Sequence, residues 1–238
     1  MGKDGRLPFP VVLVHGLSGS ARWWREVLPR LAGVETRAVD LPRRAAPGAA
    51  VDWLAARLDR PSVLVGHSLG GLLAARVAAA HPQKAAGLVL AAPVGAPTLR
   101  SLPAYAAGLA RTLRAAPPSL LGTVLGDAAR TGPAALLRGG WFATRQVFEG
   151  EIAAPTLLVW GADDRLVPVA HADEWQRLVP HARLEIVAKA GHVPMLEAPS
   201  AFAELLLQFL DELGNDARMR PVDGMRRAAH DDERPPGR

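Results

Sequence analysis

Six short apolar runs, separated by segments of helical period, constrain this 238-residue chain more than any other feature. They are residues 11–14 (VVLV), 35–39 (ETRAV), 62–65 (SVLV), 87–91 (GLVLA), 156–160 (TLLVW) and 183–187 (RLEIV). Most are apolar throughout and bounded by Gly, Pro or Asp, the pattern of strands buried on both faces. Helical patterns lie between them. Residues 21–32 put Trp24, Val27, Leu28 and Leu31 on one face, with Pro29 as a point of kinking. Residues 50–58 gather Val51, Leu54, Ala55 and Leu58, and residues 69–80 are small and apolar nearly all round. Residues 169–178 and 199–213 follow, the second with Phe202, Leu205, Leu206, Phe209 and Leu210 at helical spacing. The expected fold is α/β, a mainly parallel sheet of about six strands with helices on both faces. Ligands of such sheets bind at the carboxyl ends of the strands.

One segment interrupts the alternation. Residues 95–150 carry no convincing strand and read as amphipathic helices over 98–116, 118–129 and 133–147, divided by Pro117-Pro118 and Gly132-Pro133. We expect a helical cap over the strand ends, inserted into a core made of residues 1–94 and 151–214. Residues 215–238 mix charge, Pro and Gly with few apolar side chains and read as a disordered tail.

Composition narrows the chemistry. The chain has no cysteine, which excludes disulfides, thiolate nucleophiles and cysteine metal sites. Its net charge is +5, but the arginines are spread along the chain rather than run together with aromatics, which argues against nucleic-acid binding. No apolar run reaches membrane-spanning length, and no export signal is seen, so a cytoplasmic protein is expected.

The chemistry concentrates at the expected strand ends. VGHSLGG (65–71) closes the third run and sets Ser68 between glycines, either as a turn residue or as a nucleophile forced into the open. The helix starting at Leu69 presents free N–H groups to negative charge, which makes the Leu69 N–H an oxyanion donor. A second donor is expected from the end of the first run, most simply the N–H of Leu17. A serine needs a base. Of seven histidines, His192 lies in the glycine-led loop KAGHVPMLE after the last strand, and the other six read as structural. The base needs an acid, and WGADDRLVP offers Asp163 and Asp164.

Taken in order, VVLVHGLSGSARWW, LVGHSLGGLLAARVAAAHP, PTLLVWGADDRLVP and AGHVPMLEAP resemble the α/β-hydrolase superfamily in its compact esterase-like branch. The resemblance covers roughly residues 9–213 and carries the order Ser, Asp, His. Its pattern sets the acid three residues after the glycine, which selects Asp164 over Asp163. It differs at the start, where about ten residues leave little room for the usual two antiparallel strands. It differs again after Asp40, where LPRRAAPGAA replaces the common loop and leaves Arg43 and Arg44 near the cap edge. The resemblance implies a cofactor-independent and metal-independent serine hydrolase of small-molecule carboxylic esters, with short-to-medium acyl chains preferred. Trp23, Tyr105, Trp141 and Phe142 are expected to line its pocket beside Leu17 and Leu69. Two alternatives share the fold: a carbon–carbon bond hydrolase of β-diketone-like ring-cleavage products, and a non-catalytic binding protein.

Overall fold

In the computed structural model, residues 8–42, 47–97, 101–115 and 118–219 are described. The strands are β1 (Val11–Val14), β2 (Thr36–Val39), β3 (Ser62–His67), β4 (Ala85–Ala91), β5 (Thr156–Gly161) and β6 (Arg183–Val187). They form one sheet in the order β2-β1-β3-β4-β5-β6, and every neighbouring pair is parallel. Alternate side chains feed two separate cores. Val12, Leu64, Leu90 and Leu158 enter one, while Leu13, Val65, Val89 and Val159 enter the other. Burial on both faces is why these runs are apolar at successive positions.

The first core is covered by α1 (Pro47–Ala55), α2 (Leu69–Ala80) and α6 (Ala170–Leu178). The second is covered chiefly by α8 (Pro199–Met219) through Phe202, Leu206 and Leu210. Between β4 and β5 stand α3 (Leu102–Ala115), α4 (Pro118–Thr131) and α5 (Pro133–Arg145). A single turn, α7 (Pro194–Glu197), precedes α8. Among the described residues no helix is long and apolar enough to cross a membrane.

Two local expectations change. The helix expected over 21–32 is instead two single 3₁₀ turns, Ala21–Trp24 and Leu28–Leu31. Pro29 stands at the second position of the latter turn, where its ring and missing N–H forbid a continuous α-helix. Trp24, Val27 and Leu31 are buried as expected, but Leu28 is turned outward. The last helix runs to Met219, past the boundary expected at residue 214. Arg43, Arg44 and the tail beyond residue 219 lie outside the described residues.

Strand order reverses between β1 and β3, the first connection running outward to β2 and the next returning past β1. Such a switch point opens a crevice at the carboxyl ends of the two strands. The loop after β1 and the turn after β3 meet there.

Candidate active site

Ser68 links β3 directly to α2 with φ 51° and ψ −116°, a conformation that side chains rarely adopt. The surrounding glycines make the turn feasible. A Cβ on Gly66 would stand 2.5 Å from the Gly70 oxygen, and one on Gly70 would stand 2.3 Å from the His15 oxygen. The serine hydroxyl makes no capping bond to α2. The first N–H groups of that helix have no intrahelical partner, and the Leu69 N–H is the first of them. Among the described residues, neither it nor the Leu17 N–H donates to a backbone carbonyl outside the regular elements.

The loop after β5 carries the acid. The Asp164 carboxylate is buried, and its Oδ1 accepts the N–H groups of Leu166 and Val167, each at 2.9 Å. Its Oδ2 accepts the Nδ1–H of His192 at 2.8 Å. Three donors satisfy a charge that burial would otherwise penalise heavily. Asp163 is exposed, and its N–H donates to the Ala190 oxygen at 2.9 Å. The two adjacent carboxylates are thus separated: one faces the imidazole and one faces solvent.

The loop after β6 carries the imidazole. Gly161 allows it to close on the β5 loop, since a Cβ there would stand 2.0 Å from the Gly191 oxygen. His192 is 5% exposed and Ser68 is 4% exposed. The His192 ring lies against that of His67, with centroids 4.8 Å apart, and His67 immediately precedes Ser68. The Nε2–H of His67 also donates to the His192 carbonyl at 2.8 Å. Burial, reinforced by the neighbouring His192 imidazole, holds the His67 imidazole well below its ordinary pKa. An imidazole whose Nδ1–H is held by a carboxylate keeps its Nε2 lone pair to accept a proton.

His15 ties the loop after β1 to the loop after β2. Its Nδ1–H donates to the Gly16 oxygen at 2.8 Å, and its Nε2 accepts the Leu41 N–H at 3.0 Å. The other sequence-selected residues divide. Leu17, Leu69, Trp141 and Phe142 line a cavity of about 890 Å³ beside the β1 loop and the start of α2. Trp23 and Tyr105 do not line it. The Trp23 indole N–H is drawn aside by the Asp127 carboxylate at 2.9 Å. Tyr105 is buried, and that burial, with the nearby Asp164 carboxylate, pushes its hydroxyl pKa up to about 12. Trp141 is 51% exposed and offers the cavity only part of its ring.

Each helix of the insert meets a loop at the sheet's carboxyl edge. A Cβ on Gly108 of α3 would stand 2.6 Å from the Arg165 oxygen, and one on Gly139 of α5 would stand 2.2 Å from Leu17 Cδ1. Asp127 of α4 is 2% exposed and accepts from Ser20 at 2.8 Å, Arg22 at 2.5 Å, Trp23 and Arg130 at 2.7 Å. The sequence reading missed Asp127, His67 and Glu197 as determinants of the site. Glu197 accepts the N–H of Gly191 and, at 3.0 Å, the N–H of Val193, the two neighbours of His192. Their only sequence signals were proximity, for His67 and Glu197, and a place as one of two acids in a basic insert, for Asp127. Among the described residues no group of three or more His, Cys, Asp or Glu side chains converges to hold a metal.

Residues 11–205 match the alpha/beta hydrolase family. The pimeloyl-[acyl-carrier protein] methyl ester esterase of Neisseria meningitidis serogroup B is 31% identical, over 84% of this chain and 92% of that protein. The 2-hydroxy-6-oxo-6-phenylhexa-2,4-dienoate hydrolase of Burkholderia cepacia is 29% identical over 62% of each chain. The structure of a thermophilic esterase from Thermogutta terrifontis, with malate bound, superposes with a TM-score of 0.70 at 21% identity, covering 87% of this chain and 90% of that one.

Proposed function

The chain belongs to the alpha/beta hydrolase family, and within it we propose a serine hydrolase of carboxylic esters. Ser68 is the nucleophile, His192 the general base and acid, and Asp164 the carboxylate that holds the imidazole. The observation that carries this reading is the 2.8 Å bond from His192 Nδ1–H to Asp164, made on loops that flank the strained Ser68 turn.

The steps follow from the groups. His192 Nε2 takes the Ser68 hydroxyl proton as Oγ attacks the ester carbonyl carbon. Negative charge gathers on the carbonyl oxygen, where the N–H groups of Leu17 and Leu69 receive it. The tetrahedral species collapses, and the imidazolium gives its proton to the departing alcohol. The acyl group is now on Ser68. Water, deprotonated by the same imidazole, attacks that acyl carbon and releases the acid. Asp164 stays ionised throughout and favours the imidazolium.

α3, α4 and α5 act as a cap, and the apolar cavity beneath takes the acyl chain. Its volume of about 890 Å³ lies within the usual range for small-molecule pockets and suits short-to-medium chains. The esterase from Neisseria meningitidis acts on a methyl ester, so medium-chain methyl esters belong in the screen. Turnover of p-nitrophenyl acetate and butyrate, with covalent labelling by a fluorophosphonate, tests the reading. Both should occur in the wild type and vanish in Ser68→Ala. A folded wild type that neither turns over the esters nor takes the label would sink it.

One observation favours a second reading. Arg138 of α5 brings a cationic side chain to the otherwise largely apolar cavity wall. A carbon–carbon bond hydrolase of ring-cleavage products needs such a group to hold the substrate's carboxylate, and the Burkholderia cepacia relative is a dienoate hydrolase. Faster turnover of a 2-hydroxy-6-oxo-dienoate than of any ester would select it.

A further inference from the structure

We propose that Glu197 is a positioning residue that sets where the His192 imidazole stands. The proposal rests on the reading of His192 as the base. Glu197 Oε2 accepts the Gly191 N–H and Oε1 accepts the Val193 N–H at 3.0 Å. One carboxylate thus grips the N–H groups of the residues on both sides of His192. Bonds from backbone N–H to an ionised carboxylate are short and about twice as strong as neutral ones.

Three neighbouring features close this bracket. The Glu197 N–H donates back to the Val193 oxygen at 3.0 Å, making residues 193–197 a tight turn. Pro194 opens that turn with its φ already fixed. Gly191 leaves space for the carboxylate, because a Cβ there would stand 2.9 Å from Oε2. The His192 carbonyl is taken separately by the His67 Nε2–H at 2.8 Å.

Geometry explains why the bracket matters. The imidazole itself is fixed at Nδ1 by Asp164, while Nε2 must aim at a hydroxyl on another strand's loop. One bond at one end of a ring permits rotation about that end, so the position of the His192 Cα decides where Nε2 points. A displacement on the order of 1 Å at a reacting group costs about a hundredfold in rate. Glu197 touches neither substrate nor the reacting atoms, and acts through the loop.

The experiment compares Glu197→Gln, Glu197→Ala and Ser68→Ala with the wild type. Readouts are kcat and KM for p-nitrophenyl butyrate, the fraction of competent sites by fluorophosphonate titration, and the thermal midpoint. Glu197→Gln keeps the shape but turns an amide NH2 against one of the two N–H donors. It should lower kcat per titrated site about tenfold, with KM within about twofold; Glu197→Ala should lose on the order of a hundredfold. If Glu197→Ala does not fold, the isosteric Gln variant decides. Wild-type kcat per titrated site in Glu197→Gln, whatever its thermal midpoint, would make Glu197 a merely structural residue and overturn the proposal. Beside an inactive Ser68→Ala, that result removes this inference alone. An active Ser68→Ala removes the functional reading and this inference with it.

Discussion

The His67 side chain donates its Nε2–H to the main-chain oxygen of His192 across 2.8 Å, so the residue before Ser68 holds the loop that carries the proposed base. His67 must be neutral to fit. Its Nδ1 is buried with no partner among the described residues, and it faces Gly16, where a Cβ would stand only 2.8 Å away. A second proton would have no acceptor. Burial first, then the repulsion that the neighbouring His192 and His15 imidazoles would exert on a second proton, holds its pKa well below the ordinary 6.5. Below about pH 6.5 the unfolded chain binds this proton and the folded chain does not, so stability falls as pH falls until the folded pKa is reached. The loss is up to about 1.4 kcal/mol for each pH unit. His67→Gln keeps an N–H near the Nε2 position and cannot titrate. Its thermal midpoint should fall less steeply than that of the wild type between pH 7.5 and 5.5. Parallel slopes would exclude His67 as the source. Some slope should remain, since burial also lowers the pKa of His171.

Asp163 and Asp164 are adjacent in the chain and opposite in environment. Asp164→Asn replaces an acceptor with an NH2 group facing Nδ1, which favours the wrong tautomer. The expected loss in kcat is about 10⁴-fold. Asp163→Asn keeps its backbone bond to Ala190 and should stay within about twofold. Steady-state kinetics on p-nitrophenyl butyrate rank the two, and the reverse order would move the acid to Asp163.

Asp127 makes its own test of how the insert is held. Four side-chain donors converge on one carboxylate: Ser20, Arg22, Trp23 and Arg130. Ser20 and Trp23 are buried with it, whereas the two arginines are about half exposed and lose less when the acceptor goes. Asp127→Ala should therefore cost about 2 kcal/mol, chiefly from the stranded hydroxyl and indole N–H. Ser20 directly follows the Leu17 loop, so the variant should also raise KM. Chemical denaturation with steady-state kinetics reads both, and unchanged values in each would make the contact incidental.

What could be read in advance follows the range of the interactions. The four inner strands were legible because burial on both faces needs apolar residues at nearly every position, a local property; the edge strands β2 and β6 are only partly buried, and their place in the strand-helix alternation marked them. The strand-end positions of Ser68 and His192 were legible because glycine-rich turns mark such ends. Asp164 was separated from Asp163 only by resemblance, since which carboxylate turns inward depends on the N–H groups of Leu166 and Val167. Trp23 was expected in the pocket because it is a large aromatic near the first loop. Its partner lies 104 residues away, and no local pattern could announce it. Glu197 was hidden for a different reason. A carboxylate five residues after a histidine looks like any helix-start acid until the turn at Pro194 folds it back.

The cavity wall carries the last prediction. On the ester-hydrolase reading, its apolar lining, including Leu17, Leu69 and Phe142, should bind acyl chains by burial at about 0.8 kcal/mol per methylene, or about fourfold in kcat/KM. Across p-nitrophenyl esters of rising chain length, kcat/KM should climb over the first carbons and fall once the cavity is full. Phe142 should grip a bound chain in the ground and transition states alike. Phe142→Ala should therefore raise KM about fivefold while kcat stays within about twofold, whereas Trp141→Ala, on a half-exposed ring, should do less. Gly139 sets the floor of the same cavity, because an added Cβ would push the Leu17 side chain from its place. Gly139→Ala should move the preferred chain shorter by one or two carbons. A profile that keeps rising to long-chain emulsified esters, unmoved by Gly139→Ala, would mean that the insert lifts away from the sheet during turnover and that this cavity is not where the acyl chain is measured.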